Sequence, residues 1–336
     1  MLSINEIEKA YPERLRPFKK NILREYLQYK ILDIIFSHPL GTRLTFIGGT
    51  ALRIVHGLDR FSEDLDFDHD GITFNEFKKV SEEVKYGLEK EGLDIDISFS
   101  GKRAFRCNIK IPKLLYDQSL SPIQNEKILI QLDTENQLFD FTPEKVFINK
   151  FDVFRPILTV PIDLLLSQKI VTAFSRKRHK GRDFYDILFL LAKTRPNYDF
   201  LYQKKKIENS DQLLDYFQAN CSEINFNPLV KDLKPFLINP EDADRILNFL
   251  DYIVSTFPVP LLNTKEFFDS QGFIYDSSEK VYYNRKKRTI ISQDFSCSHQ
   301  KEADEAAIDV NTEHPKIYAN NITNNEKKRL IEKYLS

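Results

Sequence analysis

The stretch from Leu44 to Phe67 limits this chain more than any other. An apolar run containing Leu44, Phe46 and Ile47 ends in Gly48-Gly49-Thr50, and after thirteen intervening residues comes Asp64-Leu65-Asp66-Phe67. Apolar residues at that density predict a buried strand. Paired glycines predict a tight turn whose backbone can come close to a ligand. Thr50 suits the N-cap of a helix running through Leu52 and Val55, and the free N–H groups of such a helix start favour an anion. In a second strand over Asp64–Phe67, side chains alternate between faces. Asp64 and Asp66 then share one face, while Leu65 and Phe67 point to the core.

Two carboxylates side by side repel each other, and their pKa values separate unless a cation lies between them. A hard divalent ion such as Mg²⁺ accepts carboxylate and phosphate oxygens together. A phosphate cradle joined by one helix to a metal-binding edge is what phosphoryl or nucleotidyl transfer requires.

Gly48-Gly49-Thr50 followed in this register by Asp64-Leu65-Asp66 resembles the signature of the DNA-polymerase-β-like nucleotidyltransferase superfamily. The fuller string, Gly-Gly-Thr-Ala-Leu-Arg through Arg60-Phe61-Ser62-Glu63-Asp64-Leu65-Asp66-Phe67, resembles the narrower AbiEii/AbiGii-type toxins of bacterial abortive-infection toxin–antitoxin pairs. The resemblance covers roughly the first 195 residues. It implies an α+β fold: a mixed nucleotidyltransferase sheet flanked by helices, followed by a smaller, mostly helical C-terminal domain. It also implies Mg²⁺ or Mn²⁺ as cofactor and an NTP as co-substrate. Asp64 and Asp66 would hold the metal, and Gly48, Gly49, Thr50, Arg60 and Ser62 would surround the nucleotide.

Further along, Phe77, Val80, Val84 and Leu88 form a helical stripe, and Gly92 ends that helix. Strands are expected over residues 93–99, 104–111 and 127–135. Asp94 and Asp96 make a second Asp-x-Asp, but no glycine turn precedes them, so they read as a solvated strand face. In the third of these strands Asp133 and Glu135 point the same way. The superfamily takes a third carboxylate from a neighbouring strand, and Asp133 is the candidate, with Glu135 as the alternative.

Pro161 opens a further helix, on which Lys169, Thr172 and Arg176 form a polar stripe in apolar company. A lysine there is costly to bury without a partner, and the resemblance implies that Lys169 contacts nucleotide phosphates. The basic run Arg176–Arg182 is a plausible contact for a phosphate backbone. Arg182-Asp183 with Asp186 resembles the Arg-Asp-x-x-Asp motif that closes the family's catalytic region. It implies Arg182 beside the nucleotide and a catalytic part for Asp183, with Asp183 and Asp186 orienting Arg182 or Lys169 or taking the acceptor's proton.

Past Arg195-Pro196 the character changes. The domains read as 1–195 for the nucleotidyltransferase, 196–292 for a mostly helical domain with a helix over 241–257, and 293–336 for a polar, flexible tail. Three widely spaced cysteines suggest reduced thiols and a cytoplasmic protein, the N-terminus is no signal peptide, and no apolar run could span a bilayer. The net charge of -1 leaves any nucleic-acid contact to local basic patches.

The expectation is thus a metal-dependent toxin that transfers NMP from an NTP to RNA, most of all the tRNA 3′ end, in phage defence. A cognate antitoxin encoded nearby would be its partner. The alternatives are NMP transfer to a protein hydroxyl, and a binding module without catalysis.

Overall fold

The computed structural model describes residues 1–101, 104–256, 268, 271–292, 303, 315–319 and 323–335. Contacts divide the chain into two compact units, Met1–Thr256 and Phe257–Ser336.

The first unit is built on a seven-stranded mixed sheet with strand order β3-β4-β5-β2-β1-β7-β6. Its strands are β1 (Leu44–Ile47), β2 (Leu65–His69), β3 (Asp96–Ser100), β4 (Phe105–Ile111), β5 (Ile128–Thr134), β6 (Glu144–Lys150) and β7 (Val153–Thr159). The helices before and among them are α1 (Ile4–Lys9), α2 (Lys19–Ser37), α3 (Gly48–His56), α4 (Phe74–Lys90) and α5 (Leu114–Asp117). β2 runs antiparallel to β1 and parallel to β5. Alternation along these strands sends Leu65, Phe67, Cys107, Ile109, Ile130 and Leu132 into one core, against the buried stripes of α2 and α4. The same alternation places Asp66, Asp133 and Arg106 on the opposite face.

The hairpin of β6 and β7 was not expected from the sequence. Pro156 sits within β7 opposite Phe147, and Phe147 and Phe154 stack on each other while exposed, so the strand signal in the sequence is masked. Its parallel bridge to β1, Phe46 opposite Thr159, puts the start of α6 (Ile162–Ser175) beside the glycine turn.

After α6 come α7 (Gly181–Leu191), α8 (Tyr198–Lys205), α9 (Ser210–Cys221), α10 (Phe226–Leu233) and α11 (Phe249–Thr256). The composition shift near 195 is not where contacts divide the chain. Helices beyond it pack onto α6 and α7, and Phe184, Phe226 and Phe249 meet edge to face or stacked. Residues 241–257 were expected as one helix. The described part forms a 3₁₀ segment, Pro240–Asn248, followed by α11. Phe257, Pro258 and Pro260 lie outside the described residues, as does Cys297.

The second unit holds β8 (Ile274–Asp276), β9 (Val281–Asn284), β10 (Thr289–Ser292), β11 (Lys316–Tyr318) and α12 (Asn324–Tyr334), with sheet order β11-β10-β9-β8. The described residues beyond 292, read as a polar tail, thus include a strand and a helix. Leu330, Tyr334 and Leu335 pack on Val281 and Ile290. Thr323 and Glu326 cap the helix reciprocally, and Arg329 meets Glu279 with two bonds of 2.8 Å. Most of the stretch from 296 to 325 lies outside the described residues. No helix among the described residues is long and apolar enough to cross a membrane.

Candidate active site

The glycine turn is shaped by what it touches. Gly48 adopts φ +79°, a conformation that L side chains rarely take, and a Cβ there would collide with the Asp66 carboxylate. At Gly49 a Cβ would meet Arg60 Nη2 at 2.8 Å and Ser62 Oγ at 2.9 Å. Both glycines therefore let α3 begin directly against β2 and the loop before it. No side chain caps this helix start, so its first backbone N–H groups are open to an anion.

Thr50 is not the N-cap. It lies inside the first turn, fully buried, and its hydroxyl donates to the Asp64 carbonyl oxygen. Its side chain ties α3 to the entry of β2 instead of facing a ligand. The same loop is held from α2 by Gln28, whose amide donates to the carbonyls of Ser62 and Glu63 at 3.0 and 2.9 Å, and by Arg24, which pairs with Glu63 at 3.0 Å. Nothing local in the sequence marks a glutamine on α2 as the support of a loop 34 residues on.

Asp66 and Asp133 are partners in register on adjacent parallel strands. Their side chains share the open face. Asp64 precedes β2 by one residue, and its acid is raised by burial and by the charges of Glu63 and Asp133. Asp66 is pushed up to about 6, first by burial and then by Asp133 and Asp64, with Lys169 and Arg182 opposing. Three carboxylates thus crowd one place, and two cations act on it from the helical side. Asp133 itself is gripped by Arg106, Nε to Oδ1 and Nη2 to Oδ2, both at 2.7 Å. Among the described residues no three metal-ligating side chains already surround a common point. Glu135 lies past the end of β5, its N–H bonded to the Phe67 carbonyl. Asp66, Asp133, Arg106 and Glu135 line an open cleft of about 500 Å³.

Behind the cleft lies a buried charge network. Arg60 is 1% exposed and binds Asp186 through Nε and Nη2, each at 2.7 Å. Lys169 Nζ reaches Asp186 at 2.8 Å and Asp183 at 3.7 Å, and Arg176 Nε is 3.4 Å from Asp183. Burial alone would raise Asp186, but Arg60 and Lys169 outweigh it and lower its pKa.

These contacts bear on three expectations. Arg60 has no access to a nucleotide and serves as a buried brace under Gly49. Asp183 and Asp186 are 1% and 0% exposed. Of the alternatives for them, their contacts suit orienting Lys169, with Arg176 also held, and their burial does not suit taking an acceptor's proton. Arg182 is not paired with Asp186. Its guanidinium lies 5.2 Å from the Phe236 ring and acts on Asp66 as a charge. Phe236 and Leu237, in turn, bridge Phe61 and Arg60, so residues beyond 195 help shape the catalytic loop. Asp94 and Asp96 pair with Lys113 and Lys127 at 3.2 and 3.6 Å, in line with a solvated face.

Replacing Gly48 by alanine is expected to cost little stability, a few degrees of melting temperature. It should lower the turnover of a reaction at this site about 100-fold, because Asp66 must move aside and an ångström of misplacement is that costly. Steady-state rates and a thermal melt check this, and unchanged turnover would show that Asp66 has no fixed working position.

A profile described as nucleotidyl transferase AbiEii toxin, type IV TA system, matches residues 30–266. No curated protein matches the sequence. Among solved structures, JHP933 from Helicobacter pylori is similar at 19% identity and TM-score 0.49, covering 75% of this chain and 98% of that one. MenT4, a nucleotidyltransferase toxin from Mycobacterium tuberculosis H37Rv, is similar at 13% identity and TM-score 0.41, covering 80% of this chain and 98% of that one. With the family profile extending over more than half its length, the chain belongs to the AbiEii family of nucleotidyl transferase toxins of type IV toxin–antitoxin systems, and it is a nucleotidyltransferase.

Proposed function

We propose that this chain transfers a nucleoside monophosphate from an NTP to an RNA acceptor, the tRNA 3′ end, with a divalent cation in the carboxylate cluster. The observation that carries the reading is the register of Asp66 with Asp133 beside the uncapped start of α3. It joins an acid-rich edge to an anion cradle in one cleft.

The donor set suits a hard cation. Burial, then the charges of Asp133 and Asp64, push Asp66 up to about 6 against the opposing pull of Lys169 and Arg182, and carboxylate oxygens are what Mg²⁺ or Mn²⁺ prefers. Asp64 and Asp66 would hold the ion, joined by Asp133 once it exchanges Arg106 for the metal. When bound, the ion would neutralise charge on the reacting phosphates. The Gly48, Gly49 and Thr50 backbone N–H groups would receive the triphosphate. Lys169, positioned by Asp186, and Arg182 add positive charge on the same side, with Ser62 beside the loop. The acceptor hydroxyl oxygen bonds to the α-phosphorus, the bond from that phosphorus to the bridging oxygen breaks, and pyrophosphate leaves. Positioning and fixed charge supply most of the acceleration. The basic run Arg176–Arg182 offers contacts for an RNA backbone, and the type IV setting supplies a cognate antitoxin. The cytoplasm, where NTPs and tRNA meet, is the compartment this reading requires.

Incubation with each α-labelled NTP, plus either total tRNA or a tRNA-free protein extract, tests this. Label is expected on tRNA, lost with EDTA and restored by Mn²⁺. Label on protein bands alone would replace the RNA acceptor by a protein hydroxyl, and transfer that persists in EDTA would remove the metal.

A further inference from the structure

Gln168 precedes Lys169 on α6 and is 8% exposed. Its amide oxygen and nitrogen are both buried without a hydrogen-bond partner. A buried amide in that condition is a standing cost to the fold unless something else completes it. Gln168, Val171 and Thr172 fall at i, i+3 and i+4, so they occupy one face of α6. All three line a hollow of about 590 Å³ together with His69, Phe105 and Phe200. Glu135 and Gln137 stand in the walls of both this hollow and the carboxylate cleft, so the two adjoin.

Two of the lining residues are aromatic rings packed together. The His69 and Phe105 rings are stacked, with centroids 5.7 Å apart and planes 9° from parallel. His69 Nδ1 accepts from the Ile72 N–H at 3.2 Å, so the neutral ring carries its proton on Nε2. Burial lowers the His69 pKa, which favours that neutral ring. Asp68 holds the wall, accepting from the Gln137 N–H at 3.0 Å. Aromatic rings in the lining, an amide with its donor and acceptor groups both unused, and a wall shared with the carboxylate cleft describe the needs of a nucleobase.

We propose that this hollow receives the base of the incoming NTP and that Gln168 reads its hydrogen-bonding edge, making it a specificity-determining residue. The proposal rests on the reading of the chain as an NTP-dependent transferase. An amide rotated either way completes a donor–acceptor pair with one base edge and leaves an unpaired group against another, and that mismatch is the source of discrimination.

The test uses the full chain, saturating tRNA acceptor, the four ribonucleoside triphosphates separately and in competition, and Gln168→Met, which keeps the volume and removes the amide. The wild type is expected to favour one NTP. In Q168M the KM for that NTP should rise about tenfold with kcat within about twofold, and the preference among the four should narrow. The melting temperature of the ligand-free variant should stay or rise, because no protein hydrogen bond is lost. A preference unchanged in Q168M, equal use of all four NTPs by the wild type, or a KM change confined to the tRNA would each overturn the base site while leaving transferase chemistry intact. A wild type that transfers no nucleotide would overturn the functional reading, and this site with it.

Discussion

Asp66→Asn is expected to lower nucleotidyl transfer at least about 1,000-fold and, in the same protein, to raise thermal stability at neutral pH. Both effects have one cause. The Asp66 carboxyl sits among Asp64 and Asp133 in partial burial and holds its proton up to about 6, against an ordinary value of 3.8. Between those values the folded chain binds more protons than the unfolded one. Stability from this group is therefore full below about pH 4 and is lost as pH rises through 6, by up to about 3 kcal/mol. Asparagine removes the charge that must be carried at pH 7 and so relieves the fold. It also removes a principal ligand for the cation and its electrostatic work on the phosphates, an effect that reaches a thousandfold elsewhere. Rates, melting curves from pH 4 to 8, and the rise in melting temperature on adding Mn²⁺ check the two halves together. The wild type should gain from Mn²⁺ and the variant should not. A variant with lost activity and lowered stability at pH 7 would mean that Asp66 is a structural acid. If toxicity in cells survives the substitution, catalysis is not its source.

Asp186→Ala should be the most destabilising single change in the site, by about 3–5 kcal/mol, or roughly 10 °C in melting temperature. Asp186 is fully buried and joins two cations, Arg60 through two bonds of 2.7 Å and Lys169 at 2.8 Å. Removing it strands a guanidinium in the interior beneath Gly49. The lowered pKa of Asp186 has a pH consequence with the opposite sign to Asp66. Its contribution is present above the ordinary carboxylate range and is lost as pH falls below it. The double change Arg60→Met with Asp186→Leu separates folding from function. Replacing a buried pair by apolar side chains of similar size is often neutral, so stability should largely return. Activity should not, because Lys169 has lost the partner that aims it. Recovery of both would reduce the network to packing.

Much of the site was open to reading in the chain. The alternation that buries Leu65 and Phe67 also dictates that Asp64 and Asp66 face the other way, and local spacing suffices for that inference. Asp133 could be paired with them because β5 alternates in the same manner. For Arg60, Asp183 and Asp186 the chain alone left open whether they touch a substrate or brace another residue, for a shared reason. Arginine and aspartate near a catalytic motif look alike in sequence whether they touch a substrate or brace the residue that does, and burial separates the two. Gln168 gave no signal at all, since a glutamine among leucines is ordinary until its amide is found without a partner. The β6–β7 hairpin was hidden by Pro156 and by two exposed phenylalanines.

Neighbouring residues in the chain determined the glycine turn, the acidic strand and the helices that flank them, because such features depend on backbone geometry and on periods of two and 3.6 residues. Packing alone decided which charges face the cleft and which lie sealed behind it. It placed residues beyond 195 against the catalytic loop and brought α6 beside β2. Those outcomes depend on contacts between segments over a hundred residues apart, such as Arg60 with Asp186, and on the loss of water around them, which no local pattern encodes.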